Sequence, residues 1–453
     1  YVDAIKNDIL WLGYKGNKEC YASDYFEQLY NWALVLIEKD LAYIDSQSSE
    51  DIANQKGTPT KEGKASPHRD RDKEESLKVF KEMYNGEHKQ GEHVLRAKIN
   101  MSSPNMLMRD PVIYRVMDSN HHRTGDRWKI YPMYDWTHGE SDYIEQVSHS
   151  LCTLEFEPHR ELYDWFLDSI SPLEGIRPKQ REFSRLNLSY TITSKRNLAK
   201  LVEEGVVDGW DDPRMPTISG LRNRGYTPES LKSFALTVGI SKRENVIDVS
   251  LLEFCVRAHL NEEAPRAMAV LDPLKISIIN YKENKEENVN FDINPQKPGQ
   301  GKREVLFSKN IYIEREDFQE NPEEGFFRLS LGEEVRLKNA YIIKAKNIIK
   351  NEKGQITEVE CEYDEKSKSG TNTEESNRKV KATIHWVSAE TAVEATINIY
   401  DRLFKVAEPG KSQDLLSEVN KNSLEIKSAK VEPYLAIAKE GDHFQFQRLG
   451  YFV

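Results

Sequence analysis

Residues Ser189–Pro228 read SYTITSKRNLAKLVEEGVVDGWDDPRMPTISGLRNRGYTP. A lysine on a mobile loop, as Lys195 would be here, can reach a polyphosphate and neutralise charge developing on a leaving pyrophosphate. A neighbouring serine, Ser194, can hydrogen-bond the same oxygens. The tripeptide Ser-Lys-Arg alone says little, since it arises by chance in many solvated turns. The string VDGWDDPRMPTISGLRNRGYTP that follows is improbable as filler, with its Trp, Pro, Gly and Arg at fixed places. Arg177, Lys179, Arg181, Arg185, Lys195, Arg196, Lys200, Arg214, Arg222 and Arg224 make the region locally basic, as phosphate contacts with salt-dependent affinity require. Interspersed acids, among them Glu182, Glu203, Asp208 and Asp211, leave a solvated mixed-charge face as the plainer alternative.

These residues need a scaffold, and the chain is long enough for one. Its 453 residues allow two to four domains, each with its own core. It is 38% hydrophobic and 31% charged, with a formal net charge of −11. That balance argues against a simple basic nucleic-acid binder, although only a local basic face is needed for such binding. Cys20, Cys152, Cys255 and Cys361 are scattered with no CxxC pair, so neither a zinc site nor a disulfide framework is expected, and no metal ligands are assigned. No apolar run is long enough to span a membrane and no signal peptide is visible.

Along the chain, Val2, Ile5, Ile9 and Leu12 predict a helix stopped by Gly13. The chain starts at Tyr1 within that pattern, so residues upstream are expected. Asp24 with Glu27 predicts a capping box for a helix burying Phe26, Leu29, Tyr30, Ala33, Leu36 and Ile37. Residues 46–75 read as polar and turn-rich, 76–85 as helix, and 92–101 and 110–117 as strands. YPMYDWTH (131–138) reads as a short strand ending in polar residues; SLCTLEF (150–156) leads into a helix. From 198 to 259 the pattern is mostly helical. After Pro265 short alternating strands follow one another, predicting an all-β, barrel-like end with a solvated loop at 364–377.

The chain resembles class I glutaminyl-tRNA synthetases. The resemblance rests on PMYDWTH, HSLCTLEF, REFSRLNLSYTITSKR, VDGWDDPRMPTI, NEEAPRAMAVLDPLK and YDRLF, in order and over essentially the whole chain. It implies a multidomain α/β plus all-β fold. Residues 1–22 would be a remnant of the first half of a Rossmann-type nucleotide-binding fold, incomplete here, and 23–130 an insertion holding the tRNA acceptor end. Residues 131–188 would be the second half of that fold, 189–264 the lysine loop and helical connecting domain, and 265–453 two β-barrel anticodon-binding domains.

The implied partners are ATP with Mg²⁺, glutamine and tRNA(Gln), in a cytoplasmic monomer. Thr193, Ser194 and Lys195 would close on ATP, with Lys195 and Ser194 in the catalytic role. Arg185 and Leu186 would border adenine and ribose, and Thr153 the nucleotide. Tyr134 and His138 would line the glutamine pocket, with Cys152 and Gln180 beside it. A neutral amide wants neutral donors and acceptors, which Tyr, neutral His and water provide. A carboxylate substrate would want an Arg, and glutamyl relatives tend to carry one where Cys152 stands. Without the resemblance, Tyr134 reads rather as a half-buried packing aromatic and His138 as a satisfied core histidine. Arg303 is the implied anticodon reader, with Tyr281 and Lys282 at the inner corner of the tRNA.

Three departures stand out. The family's His-x-Gly-His motif is not in this sequence and would lie upstream, which leaves the activity of this length of chain in question. Thr193 stands where many relatives carry Met. Pro158 replaces an Asp that reads the acceptor stem, so acceptor-stem recognition is expected to differ. Two rivals remain: a β-barrel-type glutamyl enzyme, which shares much of VDGWDDPRMPTI, and a non-catalytic tRNA-binding protein.

Overall fold

Phe26, Leu29, Ala33, Leu36 and Ile37 recur at helical spacing, and all five are buried on the helix Phe26–Glu38. In the computed structural model, which describes every residue except Ser171, Leu173 and Asn284, the chain divides into two compact units. The first comprises Lys15–Leu186 with Ile240–Asn245; the second comprises Tyr1–Tyr14, Asn187–Gly239 and Val246–Val453.

In the first unit, an antiparallel sheet runs in the order Ala42–Asp45, Val94–Ala97, Val112–Val116, Ile130–Pro132. Helices Phe26–Glu38 and Lys73–Asn85 contribute Ala33, Leu36, Ile37, Phe80 and Met83 to the core over it. Burial of each of the four larger side chains, Leu36, Ile37, Phe80 and Met83, contributes roughly 1.5–3 kcal/mol. Arg96 and Asp45 pair at 2.7 Å within this core. The capping box expected at Asp24 and Glu27 does not form. The helix starts at Phe26, too late for Asp24 to reach its amides; Asp24 instead pairs with Arg123 at 2.8 Å and Glu27 with Arg127 at 3.1 Å. The polar stretch 46–75 is also less loose than expected. Ser48 caps a helix, Ser49–Gln55, and the buried Arg109 guanidinium donates to the carbonyls of Lys56, Thr58 and Lys61 at 2.8–2.9 Å.

A strand–helix–strand unit completes this part. His149–Thr153 pairs in parallel with Lys179–Phe183, and the helix His159–Ser169 connects them. The segment 131–138 is not a strand throughout. Pro132, which has no amide hydrogen for a ladder, ends the strand, and the helix Tyr134–Ile144 follows, burying Trp136, Gly139 and Glu140.

The second unit holds the helices Val2–Trp11, Lys195–Glu203, Ile218–Asn223, Pro228–Val238 and Val249–Glu263. Val2, Ile5 and Ile9 form one stripe as expected, but no residue of that first helix is buried. A seven-stranded mixed sheet follows, in the order Thr383–Ile384, Glu334–Leu337, Ile342–Lys350, Ile356–Tyr363, Pro273–Ile278, Asn310–Glu314, Val387–Ser388. Val393–Tyr400 pairs with Leu424–Val431 in a separate sheet. The loop 364–377 is pinned rather than solvated throughout: the hydroxyl of buried Ser367 accepts from the Ile342 amide at 2.8 Å, and Arg336 donates to the carbonyls of Ser367 and Ser376.

Candidate active site

His138 and Asp142 are one turn apart on the helix Tyr134–Ile144, so both face the same way. The His138 Nε2 lies 2.9 Å from the Ser150 hydroxyl and 3.3 Å from the Asp142 carboxylate, which also accepts from the Tyr163 hydroxyl at 3.0 Å. Burial pushes the His138 pKa down and outweighs the pull of Asp142, so the ring is neutral near pH 7. Tyr134, at the helix start, lies over His138 with ring centroids 5.3 Å apart and is half exposed.

Strand alternation places Ser150 and Cys152 on one face of His149–Thr153, with Leu151 turned away and 66% exposed. Burial, then Glu182, pushes the Cys152 thiol up; burial, then Cys152, does the same for the Tyr134 hydroxyl. Both stay protonated. On the neighbouring strand, buried Gln180 donates to the Phe156 carbonyl at 2.8 Å and to Glu182 at 2.9 Å. The Glu182 carboxylate is bound by both arms of Arg160, which hold its pKa down. The structure thus brings Tyr134, His138, Cys152 and Gln180 together and adds Ser150, Asp142, Tyr163, Glu182 and Arg160. The His138–Asp142 spacing would have signalled one of these once the segment was read as helix. Gln180 and Glu182, two apart on a strand, would have signalled another.

Thr153 ends the same strand, and Arg185 is held near it by Glu155 at 2.8 Å. Leu186 is 43% exposed. Thr193, Ser194 and Lys195 belong to the second unit. All three are exposed, and Lys195 is not on an irregular loop: Ser194 is the N-cap of the helix Lys195–Glu203, with no side-chain capping bond. The Lys195 ammonium rests 4.1 Å from the centroid of the Tyr1 ring.

The basic stretch is smaller than its sequence suggested. Arg177 is engaged by Asp164 and Asp168, Arg185 by Glu155, Arg214 by Asp212, and Arg224 by the carbonyls of Tyr400 and Asp401. Lys179, Arg181, Lys195, Arg196 and Lys200 are exposed. Arg303, expected to reach an RNA base, is instead buried. It pairs with Glu432 at 2.8 Å, 129 residues away in the chain, and lies between the rings of Phe291 and Tyr434. Tyr281 is likewise buried, edge-on to Phe307 and Tyr363, while Lys282 is exposed. Among the described residues, no three His, Cys, Asp or Glu side chains converge on a possible metal position. A Mg²⁺ ion carried on ATP phosphates needs no such cluster, because phosphate oxygens and water supply most of its ligands.

One buried group carries a pH prediction. Glu140 sits two residues beyond His138, fully buried, and neither carboxyl oxygen has a protein partner. Burial raises its pKa well above the ordinary carboxylate value. Its contribution to stability is complete below that ordinary value and is lost as pH rises toward the raised folded-state pKa. Glu140→Gln removes the titration. Thermal unfolding between pH 5 and pH 8 should show the variant gaining on the parent chain as pH rises; a constant difference would contradict the assignment.

The comparisons with known proteins agree along the full chain. Residues 1–262 match the catalytic domain of class I tRNA synthetases (E and Q), and 264–364 and 383–453 match two anticodon-binding domains of the same group. The chain is 52% identical over 453 residues to glutamine–tRNA ligase of Vibrio vulnificus, covering all of this chain and 81% of that protein. It is 50% identical over 455 residues to the Clostridium kluyveri enzyme of that name, again 81% covered. It is 51% identical over 457 residues to that of Rhodopirellula baltica, 75% covered. Among solved structures it is similar to a glutamate tRNA ligase from Elizabethkingia meningosepticum, 14% identical over 57% of this chain and 59% of that one, at a TM-score of 0.39, too distant to carry an argument. No described helix is long and apolar enough to cross a membrane. From its catalytic match through both anticodon-binding matches, the chain belongs to the class I tRNA synthetases of the E and Q type.

Proposed function

We propose that the chain is a glutamine–tRNA ligase. The observation that carries this is the 50–52% identity to glutamine–tRNA ligases over the entire chain. The glutamine carboxylate attacks the α-phosphorus of ATP, forming glutaminyl-adenylate and releasing pyrophosphate. The 2′-hydroxyl of the terminal adenosine of tRNA(Gln) then attacks the adenylate carbonyl, releasing AMP. Lys195 neutralises phosphate charge, with Ser194 and Thr193 beside it, and Thr153, Arg185 and Leu186 border the nucleotide.

The chemistry of the pocket supports glutamine over glutamate. Tyr134, His138, Ser150 and Cys152 are uncharged there, and the Arg160 guanidinium is already committed to Glu182. A γ-carboxylate would find that guanidinium already paired. A barrel form for the first β domain is supported by its strand order: the two edges of the seven-stranded sheet are separated in sequence by only His385 and Trp386. Anticodon reading by Arg303 requires its pair with Glu432 to open. Tyr281 and Lys282 serve at the inner corner of the tRNA, and a cytoplasmic monomer is the working form.

The test is tRNA-dependent pyrophosphate exchange by the gene product, with glutamine or glutamate as the amino acid. Glutamine should support exchange at least ~100-fold better, the discrimination expected when a polar pocket meets the wrong group. Preference for glutamate would favour the glutamyl rival, and no exchange with either would favour a binding protein.

A further inference from the structure

Immediately before the lysine segment, four consecutive residues are anchored. The Ser189 amide donates to the Ile247 carbonyl at 2.9 Å, and its hydroxyl accepts from the Val249 amide at 3.0 Å. Tyr190 follows with φ of 57°, the left-handed region that a bulky side chain avoids. Two contacts hold it there. Its amide donates to the Ala407 carbonyl at 2.7 Å, and the Arg402 guanidinium lies 4.8 Å from the centroid of its ring. Arg402 is itself fixed by two bonds to Glu253, at 3.1 and 3.0 Å. Thr191 bonds back to the Ser189 carbonyl, and Ile192 is buried in a cluster with Leu403, Phe404, Leu415 and Val419. Gly410 approaches Ile192 so closely that a Cβ there would lie 3.2 Å from its Cδ1.

Past Ile192, Thr193, Ser194, Lys195 and Arg196 are all exposed, and the chain returns to the same cluster only at Leu198 and Leu201 of the helix Lys195–Glu203. A strained backbone persists only where its surroundings over-determine it. Here the surroundings are residues 402–419, supplied from the C-terminal β-rich part of the chain more than 200 positions away. The Tyr190 conformation turns the chain, and the next residues leave the core carrying the ammonium.

We propose that Tyr190 and Arg402 are positioning residues that fix the direction in which the Thr193–Ser194–Lys195 segment leaves the core. This rests on the reading of Lys195 as the phosphate-contacting residue, and it adds that segment 402–410 sets where that lysine stands. Arg402 does so through Tyr190, without touching a substrate.

The test pairs hydrogen exchange with kinetics on the gene product carrying Arg402→Ala and, separately, Tyr190→Gly. Glycine accepts the left-handed conformation without strain, so that variant removes the ring alone and guards against a folding failure of the first. In both, the amides of Ser189 and Tyr190, which are bonded to the Ile247 and Ala407 carbonyls, should exchange about tenfold faster, while those of the helix Val249–Glu263 stay protected, as expected for local opening. The KM for ATP should rise several-fold and the KM for glutamine should not move; a general loss of folded protein would change neither. Equal exchange in parent and variants, or a rise shared by the helix Val249–Glu263, overturns the proposal. If the amides respond locally while the parent chain shows no glutamine-dependent pyrophosphate exchange, the clamp stands and the assigned function falls.

Discussion

Lys195→Ala should lower the rate of adenylate formation by about 10²- to 10³-fold, the range seen when one preorganised group facing a developing charge is removed. The physical basis is position and charge. Lys195 is the first residue of the helix Lys195–Glu203 and is exposed, its ammonium 4.1 Å from the centroid of the Tyr1 ring. An exposed cation–ring contact is worth about 0.5–1 kcal/mol, so the variant should fold normally. The effect should therefore appear in single-turnover adenylate formation and leave the thermal midpoint almost unchanged. Ser194→Ala should follow in the same direction and by less, because a hydroxyl supplies a neutral hydrogen bond where the ammonium supplies charge. A rate within threefold of the parent chain would remove Lys195 from the phosphate role and, with it, most of the catalytic reading.

The largest stability effect should come from Asp45→Ala, at about 3–5 kcal/mol of unfolding free energy. Asp45 is fully buried at the edge strand of the four-stranded sheet and meets Arg96 at 2.7 Å. Arg96 has no escape to solvent, since its Nε also donates to the Asp110 carbonyl at 2.8 Å. Removing the carboxylate strands a buried cation, whose desolvation is no longer offset. Asp45→Asn keeps an acceptor and should cost less. Replacing both partners, Asp45→Leu with Arg96→Met, should cost less than Asp45→Ala alone, because no charge is left buried. Urea unfolding of the three variants reads this directly. A loss below 1 kcal/mol for Asp45→Ala would mean that water reaches Arg96.

What the sequence determined was what depends on local pattern. Helical spacing announced the buried face of Phe26–Glu38, and alternation announced the β-rich end after Pro265. The ordered strings around Tyr134, Cys152 and Lys195 carried the family, which the full-length matches bear out. What escaped was whatever depends on partners distant in sequence. Arg303 looked like a displayed cation because nothing near it says that Glu432 will bury it. YPMYDWTH alternates like a strand, yet the core met by Trp136 and Glu140 selects a helix after Pro132. The loop 364–377 is polar in composition, yet Arg336 and the Ile342 amide fasten it down. Tyr190 is an ordinary tyrosine until Ala407 and Arg402 hold it in a conformation its own backbone resists. Spacing within one element is set by the few residues on either side and can be read along the chain. Which charge is buried, and which strain is tolerated, is set by contacts that exist only once distant segments have packed.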